Sequence, residues 1–60
     1  MNESETCKNA VIQYLREHGI RHVDHDVKLE LCFQLDFNPV EIQWAFDHGA
    51  YAEAWREPNA

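Results

Sequence analysis

The chain has 60 residues, enough for one domain near the lower size limit for folding alone. Hydrophobic residues make up 45% and charged residues 27%, which excludes a disordered tail, and no apolar run approaches the ~18 residues that a membrane span needs. Eleven acidic residues against five basic ones give a net charge of −6, which disfavours direct binding to nucleic acid and favours basic protein surfaces.

Residues 2–18 are expected to form the first helix. Asn2 with Glu5 three positions on makes a capping-box pattern, and Ser4 is a competing cap. Cys7, Ala10, Val11, Tyr14, Leu15 and His18 recur at helical spacing and form its inner face. Gly19 is placed to end it, because glycine accepts the left-handed conformation at a helix C-terminus. Residues 20–26 read as a connection, with Ile20 and Val23 as candidates for burial and Asp24 or Asp26 as a cap for the next element.

Residues 27–37 carry conflicting signals. Val27, Leu29, Leu31, Phe33, Leu35 and Phe37 alternate with more polar residues, the period of a half-buried strand. The composition, rich in Leu, Glu, Lys and Gln and poor in β-branched residues, favours a helix with Val27, Leu31 and Leu35 on one stripe, flanked by Cys32 and Phe33. We read the segment as helix. The alternative is a strand paired with residues 20–24, which would make the chain α+β, a helix, a hairpin and a helix.

Residues 38–48 are the clearest element. Asn38-Pro39-Val40-Glu41 supplies a cap, a proline at the first helical position and a glutamate at the third. Ile42, Ala45 and Phe46 form the inner face, with Val40 and Trp44 on an adjacent flank. Gly49 stops or kinks this helix, and residues 50–56 are expected to add a short last one with Tyr51, Ala54 and Trp55 turned inward. Residues 57–60 read as a frayed tail. The expected fold is therefore mainly α, a compact single domain of three to four helices. A core this small supplies about 3–5 kcal/mol of net stability, and a homodimer would bury more apolar surface per chain.

The acidic, polar start of the chain resembles neither a secretory signal nor a transit peptide, so the expected compartment is the cytoplasm. Cys7 and Cys32 do not make a disulfide framework there; they are expected to be buried thiols. His22 and His25 are close in sequence, but no Cys pair or His-Glu-x-x-His motif joins them, so no metal and no cofactor is expected. Neither a phosphate-binding glycine loop nor a nucleophile elbow is present, and the expectation is a binding protein rather than an enzyme.

The charge is unevenly distributed. No Lys or Arg lies between Leu31 and Trp55, where Asp36, Glu41, Asp47 and Glu53 fall. Trp44, Tyr51 and Trp55 cluster in the same third, either filling the core or serving as interface anchors, and Trp44 on its helix flank is the one placed for exposure. Asp36, Glu41, Trp44, Asp47 and Glu53 are therefore the candidate partner-binding residues.

Residues 31–55 resemble the ubiquitin-associated (UBA) and CUE-type three-helix modules. The resemblance is carried by Asp36-Phe37, by Ala45-Phe46 eight and nine positions after Phe37, and by Ala54-Trp55. The family has a Gly-Phe turn, an Ala-Leu pair and a closing Ala before an apolar residue; here Asp36 replaces Gly, Phe46 replaces Leu, and the last loop is one residue short. The resemblance implies protein recognition through an apolar patch that includes the turn. The same stretch resembles a helix-turn-helix, with Leu31, Cys32, Leu35, Phe37, Ile42 and Ala45 near its core positions, although its second helix carries Glu41 and Asp47 and no basic residue. By size and charge, the chain is similar to the small acidic phage-encoded inhibitors, anti-CRISPR proteins among them. That similarity implies a regulator or inhibitor occupying a basic nucleic-acid-binding surface of a partner protein.

Overall fold

The computed structural model describes residues 3–56, which form four helices in the order α1 (Glu3–His18), α2 (His25–Leu35), α3 (Pro39–Asp47) and α4 (Ala50–Ala54). The mainly α reading holds. The Asn2 cap and the tail 57–60 lie outside the described residues. Among the described residues, no helix is long and apolar enough to cross a membrane.

Helix α1 is the post on which the others lean. It packs along α3 and α4, while α2 packs chiefly on α3 and only lightly on α1. Cys7, Val11 and Leu15 recur every fourth residue and so share one face of α1, and all three are fully buried. Leu31 from α2, Ile42 and Ala45 from α3, and Ala50 and Ala54 from α4 close the core around them. The three alanines bring little side-chain bulk, which lets the short helices come close to α1. His18, expected on the inner face, is instead exposed at the last turn, where its ring lies 4.2 Å from that of Tyr14.

Each helix end has a local cause. Gly19 takes φ 62°, and Gly19 N–H donates to the Arg16 carbonyl while Ile20 N–H donates to that of Leu15. This paired reverse bonding satisfies carbonyls that the helix leaves open. Asp24 caps α2 by accepting from the Val27 N–H at 3.0 Å, which settles the choice between Asp24 and Asp26. At α3 the capping box is complete. Asn38 Oδ1 accepts from Glu41 N–H at 2.9 Å, and Glu41 Oε1 accepts from Asn38 N–H at 3.3 Å.

Residues 27–37 do not form a strand. A half-buried strand would turn all its alternate apolar residues to one side; here Leu31 is buried, but Leu29 is 41% exposed and Phe33 85% exposed. A rotation of about 100° per residue explains the pattern, since it puts Val27, Leu31, Leu35 and Cys32 toward the core and Leu29 and Phe33 away from it. Phe33 therefore does not flank the buried stripe.

Candidate protein-interaction surface

The surface is best built from where the cations go. Lys8 pairs with Glu53, joining α1 to α4, and this hydrogen-bonded ammonium holds the Glu53 carboxyl below the usual glutamate range. Arg16 donates to the carbonyls of Glu53 and Ala54, both at 3.0 Å, and so closes the C-terminal end of α4. The Arg21 guanidinium lies 4.0 Å from the centre of the Trp55 ring. Lys28 donates to Gln43 Oε1 at 3.0 Å and stands 5.6 Å from the Phe46 ring centre, bridging α2 to α3. Arg56 lies near enough to Glu53 to help lower its pKa. Four of the five cations thus bind neighbouring helices, loops or rings of their own chain.

The carboxylates meet different partners. Glu17 accepts from Gln13, Glu30 from the Tyr14 hydroxyl, Glu41 from the Asn38 backbone and Asp47 from Gln43, all neutral donors. Hydrogen bonds from neutral groups leave the negative charge uncompensated. Asp26 and Asp36 are exposed on α2 and at its end. Lys8 is paired with a carboxylate, whereas Arg16, Arg21 and Lys28 meet neutral groups and keep their charge; the acidic sign of the outward field follows from the eleven acids against five cations.

The five residues singled out by sequence have distinct positions. Asp36 is the C-cap of α2 and is exposed, in the left-handed conformation (φ 59°, ψ 42°). Glu41 is half-buried in the capping box, and its carbonyl lies 3.5 Å from the Cys7 thiol. Trp44 is half-buried against the core and stacks on His48 at 4.0 Å between ring centres. Asp47 ends α3, exposed, and Glu53 faces α1 through Lys8. The backbone brings Asp36 and Glu41 to the α2–α3 corner; Asp47 lies at the far end of α3 and Glu53 beyond it.

The other aromatics of the last third hold the fold. Trp55 Nε1 donates to the Ile20 carbonyl at 2.7 Å, and the Tyr51 hydroxyl donates to the Arg21 carbonyl. Together they tie α4 to the loop after α1. Sequence reasoning missed Leu29, Phe33 and Val40 as exposed apolar side chains, Val40 being 77% exposed, and Tyr51, expected to turn inward, is 38% exposed. A helical wheel of α2 carries the signal, because it sets Phe33 roughly 200° from Leu31.

The two cysteines are free thiols, Cys7 buried and Cys32 half-buried. Burial, and after it the charges of Glu41 and Cys32, push the Cys7 thiol up, so it stays protonated and a poor nucleophile. Among the described residues, no three His, Cys, Asp or Glu side chains gather where they could hold a metal ion. No family model matches this chain, and neither does any curated protein or solved structure.

Proposed function

We propose that this chain is a non-enzymatic binding protein that occupies the basic, nucleic-acid-binding surface of a partner protein and thereby regulates or inhibits it. The observation that carries this reading is the exposure of Asp26, Asp36 and Asp47 on a chain with a net charge of −6, with no Lys or Arg between Leu31 and Trp55 to offset the latter two. Carboxylates take the place of phosphates on the partner's Lys and Arg, and the site is blocked by occupancy. Asp26, Asp36 and Asp47 stand exposed for that role, and Glu41 contributes from within its cap. The action belongs in the cytoplasm, as in the small acidic phage inhibitors that the chain resembles by size and charge.

A second reading, an apolar recognition module of UBA type, draws support from one observation. Asp36 adopts the left-handed conformation at the position where that family has glycine. The helix-turn-helix reading has the opposite balance, since α3 carries Glu41 and Asp47 with no Lys or Arg to meet phosphate.

The test is capture from a nuclease-treated cell lysate with the wild-type chain and with the doubly reversed variant Asp26→Lys, Asp47→Lys. Both side chains are exposed, and circular dichroism checks that the variant keeps its helices. The proposal expects a basic nucleic-acid-binding protein that elutes as salt rises and that the variant fails to retain. A partner held equally by both chains at high salt contradicts it and favours the apolar module.

A further inference from the structure

The outer face of α2 joins exposed apolar side chains to carboxylates, with Glu30 at its edge bonded to Tyr14 of α1. Asp26, Leu29, Glu30 and Phe33 fall within an arc of roughly 100° on that helix, pointing away from the buried Leu31. Phe33 is 85% exposed and Leu29 41%. Val40, 77% exposed, comes just past the corner at the start of α3. A phenylalanine this open contributes little to the core, and its ring remains available for burial elsewhere.

The charge around it is of one sign. Lys28, the sole Lys or Arg of α2, projects from the other side of the helix toward Gln43 and Phe46. Glu30 accepts from the neutral Tyr14 hydroxyl at 3.2 Å, and its negative charge, with that of Asp26, frames the ring. A second copy of the chain would set these carboxylates against their own kind, on molecules already at −6. A basic partner would not meet that repulsion.

We propose that the outer face of α2 is the docking surface, with Phe33 as its anchor, and that it takes an apolar cleft rimmed by Lys or Arg on a partner protein. This rests on the proposed function in taking the partner to be basic, and it adds where and how contact is made. Trp44, half-buried and stacked on His48, is then a packing residue rather than the anchor.

The probe is a synthetic helical peptide of leucine and lysine with the leucines on one face, added to the full chain and followed by amide chemical shifts. The largest shifts are expected over residues 29–37. Phe33→Ser should weaken binding about tenfold or more, a loss of roughly 1.4 kcal/mol per factor of ten. An otherwise equal peptide with serine for leucine should bind weakly and be lost at high salt. Phe33→Ser should leave the helical circular dichroism unchanged, which separates lost contact from lost fold. A salt-sensitive footprint on α3 and α4 overturns this docking face while leaving the acidic-binder reading standing. A wild-type dimer in sedimentation that Phe33→Ser converts to monomer overturns it in favour of a second copy.

Discussion

Asp36 is the one residue other than glycine with positive φ among the described residues. A side chain in this conformation brings Cβ close to a carbonyl oxygen, at a cost that Asp lowers by local hydrogen bonding and Gly escapes. Asp36→Gly should therefore stabilise the domain by about 0.5–1 kcal/mol, after allowing for the greater freedom of glycine in the unfolded chain. In a thermal melt this shows as a midpoint raised by several degrees, roughly 4–8 °C per kcal/mol for a domain of this size. An unchanged or lower midpoint would show that the Asp side chain makes a compensating bond. The same substitution restores the glycine of the UBA-type turn, so it also asks whether stability alone, or binding too, responds at this corner. Phe33 shows the limit of residue-level reading. Its identity marks it as apolar, but the packing of α2 chiefly on α3 leaves it without a neighbour to cover it.

At the scale of elements, legibility tracks how local the cause is. Helix α3 is set by four consecutive residues, Asn38 to Glu41, whose capping box is present in the structure as the sequence implies. Asn38→Ala removes the acceptor for the Glu41 N–H and should cost about 1 kcal/mol, read as a lower urea midpoint with an unchanged slope. Gly19 likewise ends α1 through bonds within six residues. Helix α2 is harder to read, because its alternating pattern and its helix-forming composition disagree. Composition and the Asp24 cap prevail, since an isolated two-stranded hairpin has no third strand to stabilise it. Helical spacing puts Trp44 on a flank of α3 open to solvent; the ring instead packs against the core and stacks on His48, while Val40 on that flank stays exposed. The pairings that tie elements together, Lys8 with Glu53 or Trp55 with Ile20, join residues more than thirty positions apart and leave no periodic trace in the sequence.

At the scale of the whole molecule, the sign of the charge is plain from composition, while its direction is not. Composition counts five cations against eleven acids; the fold decides that four of those cations bridge neighbouring helices or loops of their own chain. The net charge of −6, with Asp26, Asp36 and Asp47 exposed, is the basis for proposing phosphate mimicry. Occupancy of a nucleic-acid site is the central claim, and direct competition tests it. The purified basic partner is loaded with labelled nucleic acid, and the chain is titrated in at fixed ionic strength. Phosphate mimicry predicts that labelled nucleic acid is released as the chain binds, and that the chain's own affinity falls as salt is raised. A stable ternary complex, with the nucleic acid still bound while the chain saturates its partner, would contradict it.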